Sequence, residues 1–191
     1  MGICVSSTYQ SNQKMKKTLN QKNRILITLL VTLLIWVHLA WDYFHGGIPT
    51  HYILHDDSLP GIPNWLGGII LPFFTYFLLY RIHKRLNTEN INESLKKVGL
   101  RFFIAALLST IISICFLNGI DIIDYIMGSI LILAFVFPLY KSEFLLGWVI
   151  GSALTFGAII PIVFGSMLCL LFFVLYKMGK GVIGLFKPKK V

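Results

Sequence analysis

The sequence predicts an all-α fold: a polytopic membrane helix bundle of six spans, with five spans or a re-entrant pair as the variant. Three observations lead there. Hydrophobic residues make up 56% of the 191-residue chain and charged residues 13%, against roughly 45–50% and about 25% in a soluble domain. The apolar residues come in unbroken runs, such as ILITLLVTLLIWVHLAW and GSILILAFVFPLY, instead of amphipathic stripes. The longest polar stretches, 1–24, 45–64 and 81–98, are each too short to bury a core of their own.

Residues 1–24 form a cytoplasmic tail. MGICVS matches the myristoylation pattern Met-Gly-x-x-x-Ser, with Cys4 available for palmitoylation. The plainer reading takes Met15-Lys16-Lys17 as the start of a bacterial membrane protein and the residues before it as an upstream extension. The first span covers 25–44, and Gly46-Gly47 stops it. The second covers 66–82, entered through Asn64 as a helix cap. The third and fourth cover 100–117 and 122–140, and Pro72 in the second span and Pro138 in the fourth are kink points.

The apolar stretch from 144 to 176 would be roughly 50 Å long as one helix, against a hydrocarbon core of about 30 Å. Gly157, Pro161 and Gly165 sit at its middle. Pro161 suits a first helical turn, so the stretch divides into spans 144–160 and 161–177. A basic cytoplasmic tail, 178–191, follows the 25–177 bundle.

Charge supports the six-span count. Segments 1–24, 81–101, 141–143 and 177–191 hold five, six, one and five Lys/Arg residues, which is all 17. Six spans put every one of them on the cytoplasmic side, as the positive-inside rule requires. Five spans would leave Lys177, Lys180, Lys187, Lys189 and Lys190 outside. Asp42, Asp56, Asp57, Asp121 and Asp124 fall on the outer side, and Glu89, Glu93 and Glu143 on the inner. The expected location is the cell (inner) membrane, with both termini cytoplasmic.

The net charge of +9 does not point to nucleic acid. The positive charges flank hydrophobic segments, where they set topology and meet anionic headgroups. The expected partner is the lipid bilayer. Gly147-x-x-x-Gly151 offers a close-packing face, either within the bundle or between two copies in a homo-oligomer. Cys4, Cys115 and Cys169 form no disulfide framework and no CxxC pair.

Chemistry is hinted at in one place. Four of five histidines fall between His38 and Asp57. His38, Asp42 and His45 are spaced i, i+4, i+7 and share a helix face. Asp42, in a C-terminal turn, opposes the helix dipole and needs a partner. If residues 50–56 make a helical turn, His51 and His55 also share a face. Imidazoles and carboxylates are ligands for zinc, iron or manganese, so His38, Asp42, His45, His51 and His55 are the candidate metal set. An open position there would activate water, as in a hydrolase acting at the outer leaflet. The alternatives are structural hydrogen bonding beside an aromatic belt of Trp36, Trp41, Tyr43 and Trp65, and proton-linked transport or pH sensing through histidine.

These spacings resemble pieces of the seven-helix ceramidase- and progestin-receptor-like metal hydrolases, but here they sit in one hairpin and the chain has one helix fewer, so that activity does not transfer. Residues 46–72 resemble a segment of small, uncharacterised multi-pass membrane proteins of bacteria. The shared pattern is Gly46-Gly47-Ile48-Pro49, His51, His55, Asp57, Leu59-Pro60 and Pro63-Asn64-Trp65. This resemblance implies no activity. Ser109, Thr110, Ser113, Asn118, Asp121 and Asp124 suggest either a polar path or interhelical hydrogen bonds. Two function classes follow. One is a non-enzymatic membrane protein, transporter-like or an assembly partner. The other is a metal-dependent membrane enzyme.

Overall fold

Backbone amides and carbonyls inside a bilayer must be satisfied by the chain itself, which leaves helices as the economical solution for long apolar runs. The computed structural model describes residues 19–52, 61–88 and 95–186. Among these, the order is α1 (Gln21–Phe44), β1 (Thr50–Tyr52), β2 (Gly61–Pro63), α2 (Trp65–Thr88), α3 (Leu95–Leu117), α4 (Ile123–Val136), α5 (Ser142–Phe156) and α6 (Ile159–Phe186). The all-α bundle is the observed architecture, with one small β-pair at an end.

Four helices, α1, α2, α3 and α6, are long and apolar enough to cross a membrane. The other two are shorter than the spans 122–140 and 144–160 drawn from sequence. α4 has 14 residues and α5 has 15, roughly 21 and 22 Å of helix. Pro138 ends α4 instead of kinking it. The residue before a proline is pushed out of the helical region, and Phe137 sits at φ −106°, ψ 141°. The break in the long apolar stretch falls at Gly157, whose φ of 69° suits a residue without Cβ. Pro161 lies within the first turn of α6 and does not begin it. α6 then runs past 177 to Phe186, so part of the expected C-terminal tail is helix.

Successive helices alternate in direction. The start of α1 meets the end of α2, with the Arg24 guanidinium 5.7 and 5.6 Å from the ring centres of Tyr76 and Tyr80. The end of α1 meets the start of α2, where Trp36 Nε1 donates to the Gly68 carbonyl at 3.2 Å. α3 and α5 run parallel: Gly147 lies against Phe102, Gly151 against Ala106, and Phe116 against Phe156 at 4.9 Å between ring centres.

Gly147 and Gly151 explain that contact. A Cβ at Gly147 would strike the Phe102 carbonyl oxygen, and one at Gly151 would strike Ser109 Oγ and the Ala106 carbonyl oxygen. The Ser109 and Thr110 hydroxyls donate mainly to the Ala106 carbonyl of their own helix at 3.0 and 2.8 Å, with longer contacts across the gap to the Gly147 and Gly151 carbonyls at 3.5 and 3.3 Å. Two polar residues of the suggested path thus satisfy their protons within α3 and add a weak interhelical contact. Of the two roles open to the Gly147/Gly151 face, packing within the bundle is the one seen, with α3 of the same chain filling it.

The core joins Val31, Ile35 and Leu39 of α1 to Leu71, Leu78 and Leu79 of α2 and Leu145, Leu146, Val149 and Ala153 of α5. Outside it the apolar residues face outward. On α1 only Arg24, Val31, Ile35 and Leu39 are buried, while Leu26, Leu30, Leu33, Leu34 and Val37 are exposed. Such an apolar perimeter is stable against lipid tails, not water.

Candidate functional site

At the His/Asp end, α1 stops as expected. Gly46 and Gly47 have φ of 129° and 97°, and the Gly47 N–H donates to the Asp42 carbonyl at 3.0 Å. The chain then enters an antiparallel pair, Thr50 opposite Pro63, His51 opposite Ile62 and Tyr52 opposite Gly61. The Asn64 N–H donates to the Pro49 carbonyl at 3.1 Å, tying the pair's base to the entrance of α2. Asn64 is buried, but its side-chain oxygen accepts no hydrogen bond, so the capping bond expected of it is not made.

The candidate metal residues divide. His38 Nε2 and Asp42 Oδ2 are 3.6 Å apart. That is an ion-pair distance when the imidazole is protonated and too long for a hydrogen bond. Asp42 Oδ2 is buried and accepts no hydrogen bond, and His38 is the side chain that stands beside it. His45 turns elsewhere. Its ring stacks on Trp41 at 3.8 Å and 15°, and its Nδ1 lies 2.9 Å from the Trp41 carbonyl oxygen. Trp41 precedes His45 by four residues, so one helical turn takes both the ring face and one nitrogen. His51 belongs to an extended strand, which replaces the helical turn expected from residue 50. The His51 side chain, His55, Asp56 and Asp57 lie outside the described residues. Among the described residues no three His, Cys, Asp or Glu side chains come together as a metal group. An apolar groove of about 390 Å³ runs beneath, between α1, α2 and α5, with His38 and Trp41 on its wall.

Metal content is the direct check. Stoichiometric zinc, iron or manganese in purified protein, lost on His38→Ala with His51→Ala, would support the metal-enzyme reading, and metal-free protein that stays folded and unaffected by those changes would sink it.

The opposite end holds a site that sequence reasoning missed. The α4–α5 connection is a tight turn, with the Phe137 N–H donating to the Leu133 carbonyl at 2.8 Å and the Phe144 N–H to the Lys141 carbonyl at 3.0 Å. It delivers Glu143 into the first turn of α5, where a carboxylate is favoured by the helix dipole. Glu143 is 0% exposed. Arg85 Nη2 donates to its two oxygens at 3.0 and 2.9 Å, and Arg101 Nη1 donates to Oε1 at 3.1 Å. Three helices, α2, α3 and α5, are therefore fastened by one carboxylate.

Beside this knot lies a cavity of about 540 Å³, lined by Arg81, Arg85, Pro138, Tyr140, Lys141, Ser142, Tyr176 and Lys180. Above it, α3, α4, α5 and α6 enclose an apolar cleft in two compartments. One, of about 160 Å³, includes Leu108, Leu139, Leu168 and Cys169. The other, of about 240 Å³, includes Ser113, Ser152, Phe156 and Phe164. Met127 and Trp148 line both. The cleft exists because α4 packs chiefly on α6 and leaves room beside α5. The signal in the sequence is a lone glutamate between two apolar runs, in Tyr-Lys-Ser-Glu, with arginines at two other helix ends.

No protein-family model, no curated protein and no solved structure matches the chain.

Proposed function

We propose that this chain is a non-enzymatic, transporter-like protein of the cell membrane that takes an apolar or amphiphilic molecule into the cleft between α3, α4, α5 and α6. The two compartments meeting at Met127 and Trp148 carry this reading. A binding site is usually a concave, mostly apolar space with a few polar groups. Here Ser109, Ser113 and Ser152 stand on the wall, all buried, but they present no polar surface to the space, which suits it to an apolar chain. Ser113 Oγ has no hydrogen-bond partner, and Ser152 Oγ donates to the Trp148 carbonyl at 2.6 Å.

Charge supports the orientation. Arg24, Arg85, Arg101 and Lys141 belong to a single end, and His38 and Asp42 to the other. With the positive end cytoplasmic, the alternation of the helices supports both termini inside. The resemblance of residues 46–72 to bacterial multi-pass proteins supports the cell membrane as the location.

Trp148 reports on the cleft. With Trp36, Trp41 and Trp65 replaced by phenylalanine, its fluorescence should be quenched saturably by a brominated acyl chain. Met127→Phe with Leu168→Phe should weaken that quenching at least tenfold, and a reporter fused after Val191 should read as cytoplasmic. Quenching that rises linearly without saturation would reduce the cleft to ordinary boundary lipid and sink the reading.

A further inference from the structure

We infer that the cationic cavity at the basic end is a receptor for the phosphate of an anionic lipid headgroup. This rests on the reading of the cleft as a chain-binding site and extends it to the head of the same molecule.

The cavity's side chains are of the right kind. Arg81, Arg85, Lys141 and Lys180 supply four cationic groups, and Tyr140 and Tyr176 supply two phenols. No carboxylate lines it among the described residues. Glu143, the one described carboxylate at this end, is fully buried behind Arg85 and Arg101. It fixes the Arg85 guanidinium in place and balances a single positive charge. Guanidinium and ammonium groups converging on one concavity favour a phosphate, which accepts several charge-assisted hydrogen bonds.

Position selects a lipid over a free anion. The cavity lies between the ends of α2, α4 and α6 and the start of α5, where a bundle meets the headgroup layer. It also stands back to back with the apolar cleft. Leu139 lines the cleft, while its neighbours Pro138 and Tyr140 line the basic cavity. On α6, Phe172 faces the cleft and Tyr176, one turn later, faces the cavity. The turn is held against α6 by the Cys169 thiol, whose sulfur is 2.9 Å from the Tyr140 carbonyl oxygen. An apolar chamber and a cationic chamber sharing one wall match the two halves of a phospholipid. Inorganic phosphate would use only one of them.

The test uses the full chain in detergent, titrated with dioleoyl phosphatidic acid or dioleoyl phosphatidylcholine and read by native mass spectrometry. Phosphatidic acid should bind at least tenfold more tightly. Arg81→Gln with Lys180→Gln should abolish that preference, since two cations near a membrane surface are worth roughly that factor. Both residues are exposed and outside the Glu143 knot, so an unchanged melting temperature is expected. Lys22→Gln with Lys177→Gln removes the same charge from the same end outside the cavity and should leave the preference intact. Equal losses in the two pairs would mean a diffuse surface potential and overturn the site. Full displacement of phosphatidic acid by 10 mM inorganic phosphate would make free phosphate the ligand and overturn the lipid assignment. If Met127→Phe with Leu168→Phe abolishes chain quenching while the headgroup preference survives, the cleft reading stands and the two halves are confirmed separately. If wild type shows no saturable quenching but keeps the preference, the cleft reading fails alone.

Discussion

Glu143→Ala is expected to be the most damaging single substitution in the bundle, lowering stability by about 3–5 kcal/mol. Glu143 is fully buried, and the Arg85 and Arg101 side chains are 17% and 25% exposed. Removing the carboxylate leaves two guanidinium groups near each other with the three hydrogen bonds they donate to Glu143 lost. Thermal unfolding in detergent is the measurement, and a change under about 1 kcal/mol would show that the knot contributes little. Glu143→Gln should fall between, because the amide oxygen still accepts from Arg85 or Arg101. Replacing all three together, with Arg85→Met, Glu143→Leu and Arg101→Met, should restore most of the loss. A buried ionic group is costly to break but often neutral to replace by apolar residues of similar volume. The knot's contribution is therefore to specify which helix ends meet.

Gly147→Val should be nearly as severe, costing about 3 kcal/mol, the upper range for forcing volume into a packed interface. Even the first carbon of a side chain meets the Phe102 backbone, with the Ala105 Cβ 2.9 Å away. Backbone cannot turn aside as a long side chain can. α3 must retreat, and the hydroxyl contacts from Ser109 and Thr110 to α5 lengthen with it. Gly128→Val is the control, since a Cβ there would meet nothing within 4 Å. A shift from dimer to monomer without loss of thermal stability would show instead that the glycines serve contact between copies.

The legible parts of this fold are those set by near neighbours. The stop of α1 is readable because two adjacent glycines can take the positive φ that ends a helix. The pairing of His38 with Asp42 is readable because four residues make one turn. The same rule misleads at His45, where Trp41 holds an equivalent position and offers an aromatic face as well as a carbonyl. The break in the long apolar stretch is legible but its place is not, because a proline can ride in a first turn whereas Gly157 alone adopts the turning conformation. The β-pair is not legible, since Thr50–Tyr52 and Gly61–Pro63 are three residues each and show no alternation. Neither is the Glu143 knot. Its partners are 58 and 42 residues away in sequence, and a charge pairing of that span has no local signature. The arginines are readable as topology markers and not as ligands of a buried carboxylate.

The brevity of α4 has a consequence for the bilayer. α5 is buried among α2, α3 and α6 and meets little lipid. α4, roughly 21 Å long, turns Ile132, Leu133 and Val136 outward and falls short of a hydrocarbon layer of about 30 Å. Lipid beside α4 must thin, or polar headgroups must sink toward the midplane. The cationic cavity lies at the C-terminal foot of α4, where Pro138 and Tyr140 line it, so a short α4 would open it onto a thinned zone of the bilayer and not onto a flat surface.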